Sequence, residues 1–115
     1  MSQRATWLGL APDRHGCGIA LLRRDGAELQ VTQTMAVPWR QLAPALRALG
    51  QAPAVIVVAD RWRSRWVQAL ARTLFPAALL VLVRQDQLTT DLAQDAVAAA
   101  MHFWERERLG HGQEG

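Results

Sequence analysis

Four aspartates stand where a metal-dependent site could be assembled. They are Asp13, Asp60, Asp91 and Asp95. The first two follow short apolar runs, and the last two lie four residues apart in a helical stretch, so that both leave the helix on one face. Carboxylate oxygens are ligands that Mg²⁺ prefers, and two such ions stabilise both oxygens of an in-line phosphoryl displacement. We treat the four as candidate catalytic residues and as candidate ligands for Mg²⁺ or Mn²⁺.

Each of these aspartates also has an ordinary structural interpretation. Asp60 could cap the helix that follows it, Asp91 would favour the dipole of a first helical turn, and Asp13 beside a proline is typical of a turn. Asp95 is harder to explain in this way, because it opens the run DAVAAAM, where an apolar face is expected. The sequence leaves both interpretations open.

A basic and aromatic segment follows the second of these aspartates directly. It reads Arg61-Trp62-Arg63-Ser64-Arg65-Trp66. Arginine pairs with phosphate and tryptophan stacks on bases, so the segment predicts a nucleic-acid surface next to the carboxylates. The candidate nucleic-acid contacts are Arg14, His15, Arg61, Arg63 and Arg65. The structural alternative places Trp66 in the core and leaves the arginines on a solvated helix face.

Five apolar segments predict the strands that position these residues. They cover residues 6–11, 17–23, 28–35, 54–59 and 78–83. A hairpin turn is expected at Asp25-Gly26, between the second strand and the third. The third strand alternates, with Leu29, Val31, Gln33 and Met35 on one face, which indicates an edge strand with one wet face. The fourth and fifth are apolar throughout, which predicts burial on both faces.

Three helices are predicted between and after these strands. The first begins near Ala43, because Pro44 suits a first helical turn and would break a helix interior. The second covers residues 62–75, and its predicted core residues are Trp66, Leu70 and Leu74. The third is capped by the threonine at position 89 or 90 and runs to about Arg108.

The element order is therefore βββαβαβα, which indicates an α/β fold. A doubly wound nucleotide-binding domain would place a helix after its first strand, whereas this chain has a hairpin there. We predict one five-stranded mixed sheet, an antiparallel meander plus two parallel strands, flanked by helices. Right-handed crossovers would put the fourth strand beside the first and parallel to it.

Composition limits the class of protein. The 115 residues, half of them hydrophobic, suffice for one domain, which we place at 1–109 with a disordered tail at 110–115. The single cysteine excludes an internal disulfide and a four-cysteine zinc site. No apolar signal core opens the chain, and its longest apolar run is too short for a membrane helix, so we expect a cytoplasmic protein. All thirteen basic residues are arginine, and the net charge is +3.

Several short motifs resemble the RuvC-like branch of the ribonuclease H-like superfamily. The opening WLGLAPDRHGCGIALL, the closing TTDLAQDAVAAAMHFWE and the order βββαβαβα carry the resemblance, which covers residues 6 to about 108. It implies a ribonuclease H-like fold and an Mg²⁺- or Mn²⁺-dependent endonuclease of the Holliday-junction resolvase type, acting on branched or structured DNA. It also implies a strand-four carboxylate at Asp60 and a helical carboxylate at Asp95, with Asp91 near a second. Because resolvases of this kind commonly dimerise, a homodimer is a further expectation.

One position departs from the pattern of the family. Where the family reads Gly-Ile-Asp-Pro, this chain reads Gly9-Leu10-Ala11-Pro12, with Ala11 in place of the first metal-binding aspartate. Asp13 fills that place if the turn bends back. If it does not, the chain is a catalytically inactive relative that binds nucleic acid or a protein partner. A relative of the actin and sugar-kinase superfamily is a third interpretation, but it would need a second domain for which this chain is too short.

Overall fold

The computed structural model of the chain describes residues 5–61, 63–84 and 91–113. Its elements are β1 (Ala5–Pro12), β2 (Gly16–Asp25), β3 (Glu28–Pro38), α1 (Trp39–Arg47), β4 (Val55–Ala59), α2 (Ser64–Leu74), β5 (Leu79–Val83) and α3 (Leu92–Gln113). The strands form one sheet in the order β3-β2-β1-β4-β5. β1 is antiparallel to β2 and parallel to β4, and β5 is parallel to β4. The predicted mixed sheet and the parallel pairing of the first and fourth strands are therefore confirmed.

Helices cover both faces of the sheet. α3 packs on one face, where its alanines meet Trp7, Leu22 and Val57, and the other face carries α1 and α2 over a second core. α3 lies directly on the backbone of β1 and β2, at two glycines. A Cβ atom on Gly9 would overlap the carbonyl oxygen of Ala96, and a Cβ atom on Gly18 would overlap the carbonyl oxygen of Leu92. This close approach holds the first turns of α3 over the two central strands.

The edge position of β3 is confirmed, but the predicted single apolar face is wrong. The register with β2 shifts so that Leu22 pairs with Val31 and Leu21 with Gln33, which leaves Thr32 unpaired as a bulge. A bulge adds one residue to one strand and exchanges the faces beyond it. Leu29 accordingly packs in the core under α3, whereas Met35 packs in the core on the opposite face.

The prediction that β5 is buried on both faces is also wrong. β5 forms the second edge of the sheet, and Leu79 and Leu82 are 58% and 45% exposed. An edge strand of a sheet with helices on both faces receives less cover than a central one, and an apolar run does not reveal which position it will take. β4, with a strand on each side, has the predicted burial on both faces.

Two helices differ from the sequence interpretation. α1 begins at Trp39 and contains Pro44 in its interior, because the turn ahead of the proline is held by the buried Leu42 and by hydrogen bonds of the Trp39 indole. In α2 the buried apolar residues are Val67 and Ala71, whereas Trp66, which was expected in the core, is 50% exposed.

α3 is capped by Asp91 and extends beyond its expected end. Asp91 Oδ1 accepts hydrogen bonds from the backbone N–H groups of Ala93 and Gln94, at 3.1 and 3.3 Å. The threonines expected to cap the helix lie outside the described residues. The helix continues to Gln113, so residues 110–113, assigned to a tail by the sequence, belong to it. No helix in the described part of the chain is both long and apolar enough to cross a membrane.

Candidate functional site

The carboxyl ends of β1 and β4 lie side by side and bring Asp13 and Asp60 to one edge of the sheet. Residues Trp7–Leu10 of β1 pair with Val55–Val58 of β4, so the two parallel strands end together. The backbone N–H of Asp60 donates to the carbonyl oxygen of Val83 at 2.7 Å, which fixes the exit of β4 against β5. The first turns of α3 lie over the same region, because Gly9 and Gly18 admit the helix.

Asp95 forms a buried ion pair with Arg61 at this edge. The distance from Arg61 Nη1 to Asp95 Oδ2 is 3.1 Å, and the two side chains are 9% and 2% exposed. Removing a carboxylate from water costs several kcal/mol unless a partner compensates for the lost hydration. The guanidinium therefore accounts for the position of Asp95 in an otherwise apolar helix face, which the sequence left unexplained. Arg61, a candidate nucleic-acid contact, has its side chain turned inward, which argues against the alternative of a fully solvated arginine face.

The other three aspartates have partners typical of turns and helix ends. Asp13 Oδ1 accepts the backbone N–H of His15 at 2.6 Å, as in an Asx turn. Asp60 is exposed, and its Oδ1 accepts a hydrogen bond from Ser64 Oγ at 3.3 Å. Asp91 caps α3. The turn role of Asp13 and the helix-start role of Asp91 are thus the structural alternatives that the sequence left open. Asp60 does not cap α2, because Arg63 is the N-cap residue and no side chain caps that helix.

The donor set does not fit a divalent metal ion as it stands. Among the described residues, no three His, Cys, Asp or Glu side chains lie close enough to share one. Ala11, at the place of the first carboxylate in the family pattern, is fully buried and belongs to the core under α3. Metal binding by Asp13, Asp60, Asp91 and Asp95 stays a prediction, to be tested by a measurement of binding.

Cys17 lies on β2 opposite the end of β1, and its side chain packs in the core under α1 and α2, on the face of the sheet opposite to Ala11. Pro12 pairs with Cys17 across β1 and β2, and the thiol is fully buried. Burial raises the pKa of the Cys17 thiol from 9.0 to about 12, against the opposing effects of a backbone hydrogen bond at Ala11 and the positive charge of Arg61. The thiol is therefore protonated at neutral pH and is a poor metal ligand and nucleophile. A short turn between β1 and β2 fixes the register of the hairpin, and this register is the sequence signal that predicts Cys17 opposite Pro12.

An aromatic and basic surface adjoins the carboxylates. Trp39 Nε1 donates to the carbonyl oxygens of Asp13 and Arg14, at 2.9 and 3.3 Å, and so ties the β1–β2 turn to α1. The rings of Trp39 and Trp66 meet edge to face with centroids 5.4 Å apart, and the Arg63 guanidinium lies 5.6 Å from the Trp39 centroid. We call the set Arg14, His15, Trp39, Arg63, Arg65 and Trp66 the Trp39 surface. All of its members except Trp39 are exposed.

Arg63 adopts a left-handed backbone conformation at the start of α2. Its φ and ψ are 66° and 16°, and it is the one residue other than glycine with a positive φ in the described ranges. Such a conformation costs about 1–3 kcal/mol and is concentrated at functional sites. It directs the chain from the buried Arg61 to the exposed Arg65 within four residues. The sequence gives no signal for it, because arginine is not a residue that favours this region.

The comparisons with known proteins find similarity in structure and none in sequence. No protein-family model matches the chain, and no curated protein matches it. Thermus thermophilus RuvC in complex with a Holliday junction has a TM-score of 0.59 and 10% identity, over 90% of this chain and 96% of that one. A second Thermus thermophilus RuvC structure has a TM-score of 0.52 and 11% identity, over 86% and 93% of the two chains.

A viral protein shares the same architecture. Fowlpox virus resolvase, solved with Holliday-junction DNA, has a TM-score of 0.53 and 8% identity, over 84% of this chain and 71% of that one. At such low identity the likeness concerns the fold. The chain thus has the ribonuclease H-like fold of these resolvases, as its motifs led us to expect.

Proposed function

We propose that this protein binds branched or structured DNA through the Trp39 surface. The observation that carries the proposal is the position of this surface, beside the carboxyl ends of β1 and β4, in a chain with the fold of two resolvases that were solved with Holliday junctions. Arginine side chains neutralise phosphates, and a half-exposed tryptophan offers a face for stacking on an unpaired base. The net charge of +3 is modest, so the arginines of this surface would dominate the attraction.

A salt titration of DNA affinity tests the proposal. The affinity of the native protein for a four-way junction should fall as salt rises, and Arg63→Ala with Arg65→Ala should flatten the log–log slope by about two, one unit per lost phosphate contact. The matched control is Arg47→Ala with Arg72→Ala, which removes the same charge from exposed positions in the last turns of α1 and α2. Equal slopes in the two double variants would show that the Trp39 surface does not hold the DNA.

Trp66→Ala separates stacking from charge. Because half of this side chain is exposed and its ring contacts Trp39 edge to face, its removal should cost about 1–2 kcal/mol of stability and leave the fold intact. It should weaken junction binding by about 1–3 kcal/mol without changing the salt slope, since one stacked base would be lost. Unaltered affinity would assign Trp66 to the support of Trp39 alone.

Metal-dependent hydrolysis of DNA is the competing function, to be preferred only if the carboxylates bind an ion that the donor set of the described residues does not accommodate. The exposed Asp60 at the end of β4, with Asp13 and Asp91 at neighbouring element ends, favours it. Bound Mg²⁺ or Mn²⁺ would supply charge stabilisation for phosphodiester cleavage. Native protein that cuts a junction, and Asp60→Asn protein that does not, would establish this activity.

A further inference from the structure

We propose that the Arg61 guanidinium is the resident cation of this site and takes the place of a divalent metal ion. The inference goes beyond DNA binding, because it concerns what balances the charge of Asp95 whether or not DNA is the ligand. Two features support it independently: the buried ion pair itself, and the loss of an oxygen ligand at Ala11.

The ion pair joins the end of β4 to the first turns of α3. Arg61 follows directly after Asp60, and its Nη1 lies 3.1 Å from Asp95 Oδ2. Asp95 and Ser64 are the two buried polar residues in the described part of the chain, and Asp95 is 1% exposed overall. A carboxylate at this depth needs compensation for the water that it has lost, and Arg61 provides a cation from within the chain.

A fixed positive charge at this distance opposes a second cation. Like charges a few ångströms apart repel strongly where water is excluded, and the repulsion doubles for a divalent ion. Arginine does not lose its proton at any pH at which the protein would be studied, so the repulsion is permanent. A metal ion could use Asp95 only after Arg61 had left it.

Position 11 of β1, where the family pattern has its first aspartate, supplies no oxygen from a side chain. Ala11 is fully buried and shares the core under α3 with Ala96 and Ala99. An aspartate at position 11 would therefore project toward the helix that carries Asp95. This chain has a methyl group at position 11 and a guanidinium beside Asp95, so position 11 lacks an oxygen ligand and Arg61 supplies the charge that a metal would have brought.

Thermal unfolding in EDTA and in Mn²⁺ tests the proposal on the native protein. The melting temperature should be the same in both, because no metal completes the site. Arg61→Gln should lower it by roughly 10 °C or more, since one partner of a buried pair is lost. Arg61→Lys keeps the positive charge and should lower the melting temperature less than Arg61→Gln does. Adding Asp95→Asn to Arg61→Gln should recover part of the lowered melting temperature, because no unpaired buried charge remains.

A gain of metal binding gives the opposite test. Arg61→Gln combined with Ala11→Asp should raise the melting temperature when Mn²⁺ is added, whereas Ala11→Asp alone should not respond because Arg61 remains. A double variant that folds and ignores Mn²⁺ would overturn the proposal. So would a native protein that Mn²⁺ stabilises in a saturable way that Asp95→Asn abolishes.

If the double variant does not fold, the native titration and the comparison of Lys with Gln at position 61 still decide. Failure here leaves the salt titration of DNA affinity untouched, so the two proposals fail separately.

Discussion

The partner of a charged side chain determines what it can do at this site. Asp60 and Asp95 follow the same family pattern, yet the first is exposed and the second is buried against Arg61. In the same way Arg61 and Arg65 lie in one basic segment but face opposite environments. Sequence patterns identified all four residues. The left-handed backbone at Arg63 lies between Arg61 and Arg65 and separates the inward arginine from the exposed one. Residue type alone could not predict that division.

The stability of the protein in alkali should report on Cys17 alone. The sequence contains no lysine and no tyrosine, so between pH 9 and 12 the cysteine is the one side chain that titrates. Burial raises the pKa of its thiol from 9.0 to about 12 in the folded protein. Above pH 9 the unfolded chain releases this proton and the folded chain keeps it. The free energy of unfolding should therefore fall by about 1.4 kcal/mol per pH unit as the pH rises through this window.

Urea unfolding at a series of pH values measures this slope. Cys17→Ala is the control, because it removes the titrating group while placing a small apolar side chain in the same buried position. The variant should show a flat profile from pH 9 to 12, whatever its absolute stability. A slope that persists in Cys17→Ala would mean that another part of the molecule yields to alkali.

At the level of elements, the contact of α3 with the sheet positions the site. A Cβ atom on Gly18 would overlap the carbonyl oxygen of Leu92, in the turn of α3 that precedes Asp95. Gly18→Ala should therefore destabilise the fold by about 2–3 kcal/mol, because backbone on one side must move. Gly26→Ala should cost about 1 kcal/mol, since Gly26 has a φ of +64° but nothing within 4 Å of the added atom. Chemical denaturation of both variants compares the two, and equal losses would argue against the close approach.

Elements were predicted from the sequence more reliably than their surroundings. Hairpin chemistry and apolar runs determine where strands occur, so the order βββαβαβα and the pairing of β1 with β4 followed directly. The bulge at Thr32 could not be foreseen, because it depends on how β2 and β3 fit over two cores on opposite faces. The exposure of β5 follows from its place at the edge, which strand composition does not encode. Trp66 was wrongly predicted in the core because helical spacing fits two faces of α2 almost equally well. One face contains Trp66 and Leu70, and the face that is buried contains Val67 and Ala71.

At the scale of the whole molecule, two groups of aromatic residues in the described part of the chain lie at opposite ends of the sheet. Trp7, Phe103 and Trp104 pack together beside a cavity of about 590 Å³ that Val55 and Leu79 also line, at the amino ends of β1, β4 and β5. Trp39 and Trp66 lie at the opposite end, near the carboxyl ends of β1 and β4. Trp104 is only 8% exposed and belongs to the core under α3. A homodimer stays a prediction.

We have proposed that this ribonuclease H-like chain binds DNA beside a site whose charge is balanced by its own Arg61. The most direct test is a titration of a labelled four-way junction with native protein, followed by fluorescence anisotropy, in EDTA and again in Mn²⁺. The same samples are then run on a denaturing gel to detect cut strands. We expect the same dissociation constant for the junction in both buffers and a larger one for a linear duplex. The DNA strands should stay intact throughout. Binding that appears only with Mn²⁺, or strands cut in its presence and protected in Asp60→Asn protein, would contradict this proposal.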